Sequence, residues 1–171
     1  SAASDVYKRQ VVDTQNFMTK TGVRTFEAAA FLRRNGADVT RVRKLFRENA
    51  AEYKAKADAV SQAEIYRNAY AISICHSEGI ASPTVVGAQA ANELLDIRGV
   101  KASFVLTEYQ NKLFFSARSI DEVNVQVIME RMGGGGHLNI AGCQLENTSV
   151  EEGIIVLKRT LDKMIEEGEI S

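Results

Sequence analysis

From Tyr70 onward, short strand-like runs alternate with helix-like runs, and this order restricts the fold more than any other feature of the sequence. Runs of strand length occur at Ala71–Cys75, Ala102–Leu106, Leu113–Ala117 and Ile140–Leu145. Three helices are predicted. The first begins at Ser82-Pro83 and ends before Gly99, and the second extends over Asn124–Met132. The third begins with a capping-box pattern at Ser149 and Glu152. Tyr109–Lys112 lie between the second and third strands, and this short connection predicts an antiparallel hairpin. The order therefore predicts a small α/β domain with a mixed sheet.

The region before Tyr70 shows helical patterns and no alternation of strands with helices. A helix is predicted from Thr25 to about Asn35, where Asn35-Gly36 ends it. A second helical stretch begins near Asp38–Thr40 and continues into the mid-sixties. Its central part, Glu48–Asp58, is highly charged, which is typical of a solvent-bridging helix between two lobes. Ser1–Gln10 resemble a translated sequencing adapter, and we expect them to be a non-native leader.

The composition and net charge of the chain limit the kinds of function that it can have. The chain has 171 residues, 45% of them hydrophobic, and a net charge of -1. A protein that grips long nucleic acid through many phosphates usually has a basic excess, so phosphate recognition here must be local. Cys75 and Cys143 lie in apolar runs without metal-type spacing, which favours buried thiols in a reduced, cytoplasmic setting. No apolar run approaches the length of a membrane span.

The run Gly133, Gly134, Gly135, Gly136 followed by His137 is the most informative motif. One glycine after a helix is an ordinary cap, but this does not explain four in succession. Without Cβ atoms, successive N–H groups can turn towards one concavity and surround an anion. An imidazole at the rim can donate to a phosphate oxygen. The run predicts a phosphate or nucleotide cradle, with a hinge loop as the alternative.

A second element, Ser116-Ala117-Arg118-Ser119, ends the second strand of the predicted hairpin. Arginine presents a planar fork of donors that suits phosphate, and hydroxyls flank it on both sides. Taken alone, the segment is better interpreted as a solvated strand end. Its closeness in sequence to the glycine run favours binding.

These residues together resemble a known module. Phe115–Ser119, Asn124–Met129, Gly133–His137 and Ala141-Gly142 are similar to the DHH-associated domain that follows the catalytic domain in DHH phosphoesterases. The resemblance covers about Ile65–Ser171. It implies that Arg118, Ser116 or Ser119, the glycine run and His137 hold the nucleotide or phosphate of a substrate.

The upstream segments Val12–Phe17 and Thr21–Ala29 resemble the final metal-binding motif of the catalytic domain in cyclic-di-AMP phosphodiesterases of the GdpP type. This implies that Asp13 is a metal ligand in a dinuclear Mn²⁺ site of the intact parent, with Mg²⁺ as an alternative. It also implies that residues 11–58 end the catalytic lobe and form a linker helix, and that 59–171 form the substrate-binding domain.

The sequence also departs from the family pattern, and these departures bear on its catalytic capacity. The Asp-His-His motif is absent from this sequence, whose two histidines are His76 and His137. One carboxylate cannot form a dinuclear site, so we expect a fragment with no catalytic residue of its own. His76 matches no motif of the family, and we expect it at the surface.

The parent implied by the resemblance hydrolyses cyclic-di-AMP to the linear dinucleotide. It would be a homodimer whose upstream helices anchor it in the cell membrane, whereas this part would be cytoplasmic, would make no membrane contact and would need the missing catalytic lobe. Two alternatives remain open. One is an oligoribonuclease or nucleotide phosphatase of the same superfamily. The other is a non-catalytic RNA- or nucleotide-binding module, similar to the C-terminal domain of alanyl-tRNA synthetases.

Overall fold

The computed structural model describes residues 49–171 continuously and, before them, residues 30, 31, 34, 36, 38–45 and 47. The leader, Asp13 and most of the helix predicted from Thr25 lie outside the described residues. The chain divides into two compact units, 1–49 and 50–171. The assignment of 11–58 to a catalytic lobe remains a prediction.

In the first unit, helix α1 spans Val39–Leu45. It begins after Asp38, whose Oδ1 accepts a hydrogen bond from the Thr40 N–H at 2.9 Å. This is the usual way in which a short polar side chain satisfies a free N–H at a helix start.

The second unit contains one mixed sheet with helices on both faces. Its elements are α2 (Ala50–Ser61), β1 (Glu64–Tyr66), β2 (Tyr70–Cys75), α3 (Pro83–Leu94), β3 (Ala102–Tyr109), β4 (Lys112–Ser119), α4 (Val125–Arg131), β5 (Gly135–Gly136), β6 (Ile140–Glu146) and α5 (Val150–Glu166). The strand order is β1-β2-β3-β4-β6-β5. β2 and β3 are parallel, since α3 connects them, and the other neighbours are antiparallel. The predicted α/β fold with a mixed sheet is confirmed.

Two apolar cores lie on opposite faces of the sheet. The larger joins Phe104, Phe115 and their neighbours to α4 and α5, which contribute residues such as Ile128 and Leu157. The smaller joins Val105 and the same-facing residues of β2 to α2 and α3. Buried serines complete the second face, because the Ser73 and Ser103 hydroxyls donate to the Ala59 and Ala91 carbonyls. Both faces of β2 and β3 are therefore covered.

Local sequence signals set most element ends. Ser149 Oγ accepts from the Glu152 N–H at 3.1 Å and starts α5, and Asn124 Oδ1 accepts from the first turn of α4. The predicted hairpin closes through Gln110 and Asn111, with φ of 51° and 63°. Positive φ at both central residues gives the turn that matches the twist of a hairpin. These predicted elements are confirmed within one or two residues, except that both hairpin strands extend further.

The structure differs from the sequence prediction in two respects. The long helical stretch is interrupted, since α1 ends at Leu45 and α2 begins at Ala50. β1 and β5 were not predicted. They contain three and two residues, which is too short for an alternating pattern to be recognised in the sequence, and each forms only by pairing with the strand beside it. Among the described residues, no helix is both long and apolar enough to cross a membrane.

Candidate functional site

The alternation of β4 divides the predicted site residues between two faces. Leu113, Phe115, Ala117 and Ser119 are buried, and the residues between them are half-buried. The first set faces the core beneath α4 and α5. Phe114, Ser116 and Arg118 face the side on which α3 packs, since alternate residues of a strand point to opposite faces.

At β6, this second face is accessible to solvent, whereas the β4 residues on it are half-buried. Ile140 and Gln144 on β6 are exposed, the former by 55%. They lie opposite Arg118 and Phe114, with Gly142 opposite Ser116. We call this area the open face, formed by Phe114, Ser116, Arg118, Ile140, Gly142 and Gln144. It is a shallow surface bordered by the α3-covered part of the sheet.

Strand register places the separate motifs side by side on the open face. Ser116 pairs with Gly142, which pairs with Gly135, so one cross-strand row ends in two residues without side chains. Arg118 pairs with Ile140, and the His137 N–H donates to the Ile140 carbonyl at 2.7 Å. His137 and Arg118 are thus about two strand spacings, roughly 10 Å, apart. The structure brings the arginine and the glycine–histidine loop together.

The hydrogen bonding of Arg118 leaves part of its guanidinium unused. Nη1 donates to the carbonyls of Ala117 at 2.9 Å and Ala141 at 3.5 Å. Nε is buried without a hydrogen-bond partner. No carboxylate of the described residues pairs with this side chain. Burial lowers the pKa of Arg118, yet a guanidinium stays charged at neutral pH. A desolvated cation with a free donor is suited to an anion.

The glycine run has two structural roles. Gly133, with φ of 90°, and Gly134 close α4, since their N–H groups donate to the carbonyls of Glu130 and Met129. This is the double-bonded helix ending that favours glycine. Gly135 and Gly136 then form the edge strand β5. The predicted cradle of four N–H groups therefore differs from the structure, because helix closure and sheet pairing use most of these donors.

Close packing explains why the run needs glycine. A Cβ on Gly134 would lie 2.1 Å from the Gly142 carbonyl oxygen, and one on Gly136 would lie 2.5 Å from the Ala141 Cα. Both distances are far below van der Waals contact. The glycines let the loop lie directly against β6, which places His137 at the rim of the open face.

Ser119 is set apart from the open face. It is 5% exposed, on the other side of β4. Its hydroxyl lies 3.3 Å from both the Leu138 carbonyl and Asn139 Oδ1. The Leu138 carbonyl also accepts from the Val125 N–H at 3.0 Å, which ties the same turn to the start of α4. Ser119 thus fixes the turn that follows His137.

The residues that sequence reasoning missed are Phe114, Ile140 and Gln144. Strand parity alone could have found Phe114, since it lies two positions before Ser116. Ile140 and Gln144 depend on the register between β4 and β6, which the sequence does not state. Their place on the open face follows from pairing.

The metal predicted at Asp13 lies outside the described residues. Within the described part of the chain, no three His, Cys, Asp or Glu side chains come together in a way that could hold a metal ion. The described part therefore does not fit a metal centre. Cys75 and Cys143 are free and buried. Burial raises the pKa of Cys143 to about 12, so no thiolate forms near neutral pH.

A separate cleft of about 260 Å³ lies at the other end of the β3–β4 ladder. Its lining includes His76, which is exposed as predicted, and the carboxylates of Glu78, Glu108 and Glu151. Three carboxylates disfavour an anion. The open face is therefore the better candidate for phosphate.

Relatives with known names share much of this sequence. The chain is 46% identical over 143 residues to the cyclic-di-AMP phosphodiesterase PdeA of Listeria monocytogenes, covering 83% of this chain and 22% of that protein. It is 42% identical over 159 residues to the cyclic-di-AMP phosphodiesterase GdpP of Geobacillus thermodenitrificans, covering 92% of this chain and 24% of that protein. The chain spans less than a quarter of the length of these relatives.

A solved structure shows the same fold. An exopolyphosphatase-related protein of Bacteroides fragilis superposes with a TM-score of 0.76 at 20% identity, over 95% of this chain and 50% of that one. The model of the DHHA1 domain matches residues 68–167, from the β1–β2 turn to the end of α5. By that match, which covers more than half of its length, the chain belongs to the DHHA1 domain family.

Proposed function

We propose that this chain is the substrate-binding part of a metal-dependent phosphodiesterase that hydrolyses cyclic-di-AMP to the linear dinucleotide. The observation that carries the proposal is Arg118, a partly buried cation that no carboxylate of the described residues neutralises, on an otherwise uncharged open face. The names of the two relatives supply the substrate class. The proposal includes a homodimeric, membrane-anchored parent whose other lobe completes the cleft.

The residues of the open face can do three things for such a substrate. Arg118 would bind a phosphate through a charge-assisted hydrogen bond from its guanidinium group, with the Ser116 hydroxyl as a second donor. Gly142 and Gly135 leave the backbone accessible, so the sugar–phosphate chain can lie close to the sheet. His137 at the rim would donate to a second phosphate oxygen. Binding and orientation are the contribution of this part.

The catalytic step belongs to the parent. In the proposal, Mn²⁺ ions, or Mg²⁺ as the alternative, are held mainly by residues of the missing lobe with Asp13 among the ligands. Such a pair of ions supplies an activated water and stabilises the attacked phosphate. This chain alone should bind without turnover.

The test is calorimetric titration of the full chain with cyclic-di-AMP, linear diadenylate and cyclic-di-GMP. We expect the adenine dinucleotides to bind, and Arg118→Ala to weaken them by about 10- to 100-fold, because a hydrogen bond to a charged group contributes about 1.5–3 kcal/mol. Arg159→Ala is the matched control, since this arginine is exposed on α5, on the other side of the sheet. It removes the same charge and should leave affinity unchanged.

The titration also separates the alternatives. Equal affinity of Arg118→Ala and the native chain would remove Arg118 from the site. Preference for short mixed-sequence oligoribonucleotides over cyclic-di-AMP would indicate an oligoribonuclease. Tight binding of long RNA would indicate a non-catalytic module instead.

A further inference from the structure

Phe114 is a large aromatic residue on the open face that the apolar cores do not use. It is half-buried and belongs to neither of the two core clusters, although its neighbours Leu113 and Phe115 are both in the larger one. A half-buried phenylalanine outside both clusters keeps part of its surface accessible on this side of the sheet. Its position is two residues along β4 from Ser116 and four from Arg118, on the same face.

The residues across from β4 extend this surface. Gln144 pairs with Phe114 and is exposed, and its side-chain amide makes no hydrogen bond to a described residue. Ile140 pairs with Arg118 and is also exposed. Between these two pairs lies the row of Ser116, Gly142 and Gly135, where side chains are small or absent. The ring of Phe114 and the amide of Gln144 thus lie on one side of this row, and the guanidinium of Arg118 lies on the other side.

A ligand that matches this order has an anionic part, a polar linker and a flat apolar part with hydrogen-bonding edges. A nucleotide has all three. Aromatic side chains stack on the faces of bases. A glutamine amide offers the donor and acceptor pair that fits the N6 and N7 edge of adenine. An inorganic phosphate would use Arg118, Ser116 and His137 and would leave Phe114 and Gln144 without a role.

We propose that Phe114 and Gln144 form a nucleobase subsite, in which the ring stacks on an adenine whose phosphate is bound by Arg118. The proposal rests on the proposed function, and it adds the part of this chain that recognises the base. Phe114 is the specificity-determining residue for a flat base, and Gln144 reads its edge.

The chain contains no tryptophan, which permits a direct optical test. Phe114→Trp introduces a single indole into the subsite. Linear diadenylate should change its emission in a saturable way, because the base stacks on the indole, whereas ribose 5-phosphate should not. Ile155→Trp is the control, since Ile155 is 49% exposed on α5, away from the open face. Its emission should not respond to either ligand.

Calorimetry of Phe114→Leu and Phe114→Ala gives the second measurement. Stacking contributes about 1–3 kcal/mol per base, so we expect roughly tenfold weaker binding of diadenylate and unchanged binding of ribose 5-phosphate. Phe114→Leu keeps the apolar volume without the flat ring, and the thermal unfolding midpoint checks that each variant is folded. Gln144→Ala should reduce the preference for diadenylate over diguanylate.

The outcomes separate this subsite from the phosphate site. If diadenylate binds, depends on Arg118 and is insensitive to Phe114, the subsite is wrong and the proposed function stands. If ribose 5-phosphate and diadenylate respond equally to Phe114→Leu, the ring contacts the sugar and the base assignment is overturned. If no adenine nucleotide binds the full chain at millimolar concentration, both proposals fail.

Discussion

At the scale of single residues, two serines on β4 show how parity separates roles. Ser116 and Ser119 both lie next to Arg118 in the region that the sequence singles out, yet they point to opposite faces. Ser116 belongs to the open face, and Ser119 is buried against the turn after His137. The sequence motif predicted that a serine hydroxyl near Arg118 takes part in the same site. Only the alternation of the strand decides which one.

The two serines permit a crossed prediction. Ser119→Ala should lower the free energy of unfolding by about 1 kcal/mol, because Asn139 and Leu138 lose a buried hydrogen-bonding partner. It should also shift the amide resonance of His137 in NMR spectra, since the turn is no longer fixed. Ser116→Ala is the matched control, which should leave the free energy of unfolding unchanged and weaken nucleotide binding. The reverse result for the two variants would contradict the assignment.

At the scale of elements, capped helices were predictable and short strands were not. α4 and α5 have their start encoded by Asn124 and Ser149, whose side chains bond to the first turn whatever lies around them. β5 has no such local cause. Its two glycines pair with β6 because the closure of α4 delivers them there. The glycine run therefore looked like a cradle in the sequence, whereas its donors serve the helix and the sheet.

The contact between α5 and the sheet depends on Gly153. A Cβ at this position would lie 2.3 Å from Leu113 Cδ2 and 3.2 Å from Leu106 Cδ2. Gly153→Ala should lower the free energy of unfolding by up to about 2 kcal/mol, since the overpacking cost of about 1–3 kcal/mol exceeds the gain of about 1 kcal/mol in helix propensity. Chemical denaturation measures this difference.

The control for Gly153→Ala lies in the same helix. Val156 is 37% exposed, so Val156→Ala changes helix propensity with little loss of packing. It should be neutral or slightly stabilising. A more stable Gly153→Ala variant would show that the helix shifts outward without cost, and would contradict the role of this glycine.

At the scale of the whole molecule, residues 50–171 have what independent folding requires. One sheet carries an apolar core on each face, and both cores are built from residues of this unit. We expect the isolated segment to unfold in one cooperative transition, with the same midpoint whether followed by far-UV circular dichroism or tyrosine fluorescence. Two separate transitions would show that the cores on the two faces unfold independently.

The row of Ser116, Gly142 and Gly135 exists in only one alignment of three strands. A slip of β6 by a single residue would turn Gly142 towards the core and bring Ala141 or Cys143 onto the open face. The shape of the binding surface therefore depends more on the correct register of the strands than on the identity of its side chains. Mutations far from the ligand, in the β4–β6 ladder or in the core that fixes it, should be as damaging to recognition as changes at Arg118 itself.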